Sequence, residues 1–283
     1  MTIRKVGVVG CGLMGGGIAQ TCAQSGYETV VREVNQELLD KGLARIYSAW
    51  EMMLSKSKLT QGQVDENRSR LHGTLDLADF ADCDLVIEAV IENMEEKLRL
   101  FPVLDRIVKP EALLLTNTSS LNITQMGAVT KRPEKVCGLH FFNPAPVMKL
   151  VEVVKTISSS EDTIETVKQF AISLGKTTVL AKDTAGFIVN FLLIPYLIAA
   201  IRMLENGQAS RDDIDTAMKL GCGYPMGPFT LLDYVGLDTT LWAAEAIYEE
   251  YKDPLYAPPP LLRRMVQSGI YGKKSGKGFY NYQ

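Results

Sequence analysis

This sequence of 283 residues has no excess of positive charge, no closely spaced cysteine pair and only two histidines. The 30 Lys and Arg residues are outnumbered by 33 Asp and Glu, which gives a formal net charge of -3. The chain has no positive field to attract nucleic acid or anionic lipid, so binding to a polyanion or a membrane surface is disfavoured. With 46% hydrophobic and 22% charged residues, the composition is that of a globular protein and excludes a disordered chain.

The cysteines also exclude two classes of small domain. They are odd in number and scattered, and they form no Cys-x-x-Cys pair, so neither a disulfide framework nor a metal site is indicated. We interpret them as buried thiols in a reducing compartment: Cys11, Cys22, Cys83, Cys137 and Cys222. Since few residues precede the first apolar strand, we expect no targeting peptide and a cytoplasmic location.

One apolar stretch, residues 187–204, approaches the length of a membrane span. It contains Asn190, Pro195 and Arg202, which disfavour a bilayer environment. A helix that is apolar on all sides is equally typical of a protein core or a subunit interface. We therefore predict a buried helix here.

Apolar runs alternate with helical patterns through the first two thirds of the chain. Strands are predicted at residues 5–10, 28–34, 84–90, 113–117, 136–141, 151–155 and 177–181. This alternation predicts an α/β, Rossmann-like domain with a mostly parallel sheet over residues 1–183. Residues 35–71 form a helical excursion, in which Thr60 and Gln63 fit a capping box.

Beyond Asp183 the pattern changes. No convincing strand follows, and residues 184–283 carry long apolar helices. We predict an all-helical C-terminal domain that forms a homodimer, because the helices at 187–204 and 241–250 need a buried interface.

A G-x-G-x-x-G pattern lies between the first strand and the following helix, and it contains Gly10, Gly12, Leu13, Met14 and Gly15. In this context the pattern is typical of dinucleotide binding. The first glycine permits a tight turn, the second lets backbone N–H groups approach a pyrophosphate, and the third lets the helix pack closely on the strand.

An acidic residue stands at the distance that such a site requires. Glu33 follows Gly12 by 21 residues and would accept a hydrogen bond from the ribose 2′-hydroxyl, which favours NAD. Arg32 could pair with Glu33 at the surface or could tolerate a 2′-phosphate, so NADP is less favoured but stays open.

The chain has two histidines. His72 lies at an element boundary and is interpreted as a surface residue. His140 precedes a turn rich in proline, and Glu152 follows among valines. If the two strands fold back at residue 146, His140 and Glu152 lie opposite each other, as a histidine general base and its carboxylate partner would. From spacing alone, a buried structural pair is an equally good interpretation.

Two further polar sites have weaker signals. Residues 117–120, Asn-Thr-Ser-Ser, follow a strand where open α/β sheets bind ligands, but they could equally form a simple turn. Asn190 lies in an apolar helix and is either a ligand contact or a partner in an inter-helix hydrogen bond.

The blocks GCGLMGGGIAQ, IEAVIENMEEK, NTSSL, GLHFFNPAPVMKLVEVV, DTAGFIVN and GKKSGKGFY occur in this order. Together they resemble the 3-hydroxyacyl-CoA dehydrogenases of the 3-hydroxybutyryl-CoA type, over about residues 3–282. The resemblance implies a dimeric enzyme of two domains that oxidises the (S)-3-hydroxyl of an acyl-CoA with NAD, or runs in reverse.

The resemblance also implies roles for single residues. His140 is the expected catalytic base and Glu152 its partner, while Ser119 and Asn190 contact substrate near the reacting carbon. The residues expected to line the nicotinamide cofactor or contact CoA are Glu92, Lys97, Asn143 and Lys274 for the cofactor, and Lys56 for CoA.

The chain departs from the family at several positions. Glu33 stands where family members commonly have aspartate. Ala49 stands where they have a serine that can help hold CoA. Phe191 replaces an arginine, and Ala185 replaces a proline. Two alternatives stay open: a dehydrogenase of a free hydroxy acid or sugar acid on the same fold, and a structural protein without activity, like the lens lambda-crystallins.

Overall fold

The computed structural model describes residues 2–282. The chain divides into two compact units, Met1–Asp183 and Thr184–Gln283. Each unit has its own hydrophobic core.

Across the described residues, eight strands of the first unit form one sheet. The strands are β1 (Lys5–Val9), β2 (Glu28–Arg32), β3 (Leu71–Thr74), β4 (Leu85–Glu88), β5 (Leu113–Thr116), β6 (Val136–Phe141), β7 (Leu150–Lys155) and β8 (Thr177–Lys182). Their order is β3-β2-β1-β4-β5-β6-β7-β8, and each neighbouring pair is parallel except β6 and β7. The prediction of a mostly parallel Rossmann-like sheet is confirmed.

The helices of this unit are α1 (Leu13–Gln24), α2 (Gln36–Ser55), α3 (Gln61–Arg70), α4 (Met94–Ile107), α5 (Ile123–Ala128) and α6 (Glu161–Ser173). The predicted helical excursion is the pair α2 and α3, and the capping box of Thr60 and Gln63 is present. Every residue of β4, β5 and β6 is buried, as expected for central strands with both faces covered.

Two short elements were not predicted. The strand β3 has four residues and contains His72, which is exposed as expected but lies within a strand. The helix α5 has six residues, and the carboxylate of Asp183 caps it by accepting the backbone N–H groups of Ile123 and Thr124. Because such short elements contain too few residues to show a period, the hydrophobic pattern cannot reveal them.

The prediction for the cysteines is correct for four positions and wrong for one. Burial raises the pKa of the Cys11 thiol to about 11 and that of the Cys22 thiol to about 12. Cys83 and Cys137 are buried as well. Cys222 is exposed, because it is the last residue of a helix in the second unit rather than part of a core face.

The second unit is helical, as predicted. Its helices are α7 (Val189–Glu205), α8 (Arg211–Cys222), α9 (Pro228–Val235), α10 (Leu237–Tyr251) and α11 (Pro260–Gln267). Its described part shows β-bridges, from Lys277 to Gly272 and to Asn281, but no strand. Within residues 2–282, no helix combines the length and hydropathy needed to cross a membrane.

Candidate active site

The polar side chains of the first unit gather at the carboxyl ends of its central strands. In the parallel register, Val9 of β1 lies beside Glu88 of β4, and Glu88 lies beside Thr116 of β5. The loops that follow these strands therefore start at one edge of the sheet, which is where open α/β sheets bind ligands.

The glycine turn after β1 has the geometry of a phosphate cradle. Gly10 has a φ of +101°, and a Cβ built there would lie 2.6 Å from the carbonyl oxygen of Ala89. A Cβ at Gly15 would lie 1.9 Å from the carbonyl oxygen of Gly10. At Gly12, which precedes α1, a Cβ would meet no heavy atom within 4 Å among the described residues. The turn thus packs tightly at Gly10 and Gly15 and leaves open space at Gly12. An anion in this space would face the N–H groups of the helix.

The side chains within this turn differ in exposure. Leu13 is 63% exposed beside the open space, whereas Met14 is half-buried. The open space at Gly12, next to the start of α1, fits the pyrophosphate of a dinucleotide.

The carboxylate of Glu33 is hydrogen-bonded to the same turn. One carboxylate oxygen accepts the backbone N–H of Cys11 at 2.8 Å, and the other accepts that of Val34 at 2.9 Å. Arg32 donates its Nε to the carbonyl oxygen of Leu75 at 3.2 Å, and the structure does not pair it with Glu33 among the described residues. The carboxylate is therefore oriented by backbone groups, next to the position predicted for a ribose.

The helix α2 supports the turn from the other side, which sequence reasoning missed. The guanidinium of Arg45 donates to the carbonyl oxygen of Cys11 at 2.8 Å. Gly42 permits this approach, since a Cβ there would lie 2.3 Å from the Cys11 sulfur. Nothing in the local sequence of α2 indicated either contact.

The predicted pairing of His140 and Glu152 is confirmed. The two residues are opposite each other in the antiparallel ladder of β6 and β7. Nδ1 of His140 lies 2.7 Å from Oε2 of Glu152, and both side chains are buried. Asn117 anchors the adjacent backbone, because its side-chain oxygen accepts the N–H of Phe141 at 2.9 Å. The imidazole is therefore held by a carboxylate at one nitrogen, as a general base requires.

The structure also brings Ser119, Glu92 and Lys97 together. Glu92 accepts the backbone N–H of Ser119 at 3.0 Å, and the Ser119 hydroxyl is 3.4 Å from the same oxygen. The ammonium of Lys97 lies 3.5 Å from the other Glu92 oxygen. Asn143 is exposed in the turn that follows β6.

The remaining predicted residues lie elsewhere. Lys56 is exposed at the end of α2, and Ala49 is seven residues earlier, on the same face of this helix. In the second unit, Asn190 is half-buried in the first turn of α7. Lys274 donates to the carboxylate of Asp238 at 2.6 Å, a contact that was not predicted.

Comparisons with known proteins identify the family of the chain. Residues 5–184 match the family model of the 3-hydroxyacyl-CoA dehydrogenase NAD binding domain, and residues 186–282 match that of the C-terminal domain. The chain is 48% identical over 282 residues to a 3-hydroxybutyryl-CoA dehydrogenase of Mycobacterium tuberculosis, covering 99% of each chain.

Other similar proteins also match along nearly the whole chain. The mitochondrial hydroxyacyl-coenzyme A dehydrogenase of Sus scrofa is 45% identical over 288 residues, covering 99% of this chain and 92% of the relative. A crystal structure of the (S)-3-hydroxybutyryl-CoA dehydrogenase of Ralstonia eutropha superposes with a TM-score of 0.96 at 40% identity, with 100% of both chains covered. The chain is an oxidoreductase with an NAD-binding domain, and it belongs to the 3-hydroxyacyl-CoA dehydrogenase family.

Proposed function

We propose that this protein interconverts (S)-3-hydroxybutyryl-CoA and acetoacetyl-CoA with NAD. The observation that carries the proposal is the buried pair of His140 and Glu152, which lies in the same NAD-binding unit as the glycine turn. Full-length relatives named 3-hydroxybutyryl-CoA dehydrogenase support the choice of substrate. They do not favour the alternatives of a free-acid dehydrogenase or a crystallin-like protein.

In the proposed reaction, bound NAD would supply the acceptor for the hydride that leaves C3 of the substrate. His140 takes the proton of the substrate hydroxyl during oxidation and returns it during reduction. Glu152 holds the imidazole in one orientation and stabilises its protonated form. Ser119 and Asn190 hold the substrate oxygen.

The binding roles follow the same assignment. Gly12 and its neighbours in the glycine turn would bind the pyrophosphate, and Glu33 the ribose. Glu92, Asn143 and Lys274 would line the nicotinamide, and Lys56 would contact CoA. The cytoplasmic location stays a prediction from the sequence.

The function is tested by following NADH oxidation with acetoacetyl-CoA and, in parallel, with free acetoacetate. We expect turnover with the CoA thioester and little with the free acid. Preference for the free acid would favour a hydroxy acid dehydrogenase, and no turnover with either would favour a structural protein.

We expect a clear preference for NADH over NADPH, because Glu33 near a 2′-phosphate brings negative charges together. A unit-charge repulsion at 4 Å in water is about 1 kcal/mol, so Glu33→Ser should raise kcat/KM for NADPH by about fivefold or more. Because Glu33 accepts the N–H of Cys11, Glu33→Ser also removes one hydrogen bond to the glycine turn.

Glu33→Gln is the matched control, since it removes the charge and retains an acceptor for Cys11. Both variants should gain activity with NADPH, and Gln should retain more activity with NADH. Wild-type kcat/KM with NADPH equal to that with NADH would show instead that Arg32 determines the preference.

We further propose a homodimer formed through the second unit. This unit exposes large apolar side chains, among them Leu192, Leu220 and Trp242. An interface between subunits would bury side chains of this kind. Analytical ultracentrifugation at micromolar concentration should give the mass of a dimer, and a monomer would contradict the proposal.

A further inference from the structure

A buried charged pair lies at the carboxyl end of β4, directly beneath the candidate site. The side chains of Glu88 and Lys97 are both 0% exposed, and Nζ of Lys97 lies 2.6 Å from Oε1 of Glu88. Burying two charges is costly and gives little net stability, even when the geometry is good. Such a pair therefore invites a functional explanation.

Glu88 is fixed from several elements. Its Oε1 also accepts the backbone N–H of Val90 at 2.7 Å, and its Oε2 accepts the hydroxyl of Thr116 in β5 at 2.6 Å. The carboxylate is thus held by its own loop, by the neighbouring strand and by α4, which carries Lys97. It has little freedom to reorient.

Lys97 connects the buried Glu88 to Glu92, whose side chain is partly exposed. Its ammonium lies 3.5 Å from Oε2 of Glu92, and Oε1 of Glu92 accepts the Thr118 hydroxyl at 2.5 Å and the Ser119 N–H at 3.0 Å. The contacts therefore run from Glu88 through Lys97 and Glu92 to Ser119. The ammonium of Lys97, a residue that the resemblance places at the cofactor, contacts two carboxylates, and its side chain is fully buried.

We propose that Glu88 and Lys97 are positioning residues, which hold Glu92 and through it place Ser119 for the reaction. The inference rests on the proposed role of Ser119 at the substrate oxygen. Lys97 supplies the positive charge that keeps the Glu92 carboxylate facing inward, and Glu88 keeps Lys97 in place. Without this pair Glu92 would lose its cation, and the loop of Thr118 and Ser119 would lose its fixed acceptor.

The test is the double variant Glu88→Gln/Lys97→Met, which removes both charges and keeps the side-chain sizes similar. It avoids leaving one charge buried without a partner, which is the costly change. We expect a folded protein whose kcat with acetoacetyl-CoA falls by about 10- to 100-fold, as a small misplacement of a reacting group can cause. KM for acetoacetyl-CoA should change less than kcat.

The matched control is the ion pair of Asp84 and Lys109, 2.5 Å apart at the opposite end of β4. Asp84→Asn/Lys109→Met removes the same types of charge next to the start of β4, away from Ser119. This variant should keep the wild-type kcat. A folded Glu88→Gln/Lys97→Met protein with wild-type kcat and KM would overturn the inference.

A second comparison separates positioning from a general structural defect. In a Ser119→Ala background, adding Glu88→Gln/Lys97→Met should cause no further loss of kcat, because the effect acts through Ser119. Independent, multiplying losses would overturn the inference. If the double variant fails to fold, Thr116→Val is the fallback: it removes the hydroxyl that donates to Glu88 and accepts the N–H of Thr118. It should lower kcat, and an unchanged kcat would contradict the proposal even though both contacts are lost.

The proposed function can fail separately. Inactivity of the wild-type protein with acetoacetyl-CoA would overturn that function. A crystal structure of the double variant would still decide the inference, since the contact between Glu92 and Ser119 should be lost. An intact contact would overturn it for any substrate.

Discussion

Glu152→Gln is expected to fold and bind NADH as the wild type does, while kcat falls by about 100- to 10,000-fold. Glutamine keeps the size and a hydrogen bond to Nδ1 of His140 but removes the charge that stabilises the protonated imidazole. Because Glu152 and His140 face each other across β6 and β7, the change acts on the orientation of the ring and on its charged partner. KM for acetoacetyl-CoA should change less than kcat, since the CoA portion is expected to bind away from this pair.

The measurement is kcat for Glu152→Gln and His140→Ala, together with thermal unfolding of both. His72→Ala is the control, because it removes the other histidine from an exposed position in β3. Near-wild-type kcat in a stably folded Glu152→Gln protein would contradict the proposed pair. A loss of folding would instead assign Glu152 a structural role.

Gly12→Ala and Gly15→Ala should fail in opposite ways. The added methyl at Gly12 meets open space, so the protein should keep its stability but lose NADH affinity by about 100-fold, the equivalent of one hydrogen bond to a charged group. The methyl at Gly15 would lie 1.9 Å from the Gly10 carbonyl oxygen, so α1 must shift away from β1. Overpacking of this kind costs about 1–3 kcal/mol of unfolding free energy, and more where backbone must move.

Denaturant unfolding and NADH fluorescence titration distinguish the two effects. Gly62→Ala in α3 is the control, since a Cβ there meets no heavy atom within 4 Å among the described residues. Gly62 is also far along the chain from the glycine turn. This variant should bind NADH normally and be at least as stable as the wild type. A Gly12→Ala protein with unchanged NADH affinity would show that the glycine turn does not hold the pyrophosphate.

Local patterns were sufficient for most elements and for the central pair of the site. The alternation of apolar strands with helices predicted the sheet, and the Thr60 capping box predicted where α3 begins. The pairing of His140 with Glu152 followed from the midpoint of a single turn, because two consecutive antiparallel strands fix their register locally.

The parts that the sequence did not reveal depend on contacts between elements that are distant along the chain. Glu88 and Thr116 are 28 residues apart and meet because β4 and β5 are parallel neighbours, joined through a helix. Likewise, the support of the glycine turn by Arg45 requires α2 to cross at Gly42.

A charged residue in an apolar strand was a visible signal for Glu88, but its partners were not. The sequence by itself determined the fold class, the glycine turn and the pairing of His140 with Glu152, because each follows from residues close along the chain. The tertiary structure decided how Glu88 and Lys97 reach Ser119, because parallel pairing and helix packing are not encoded by any local period.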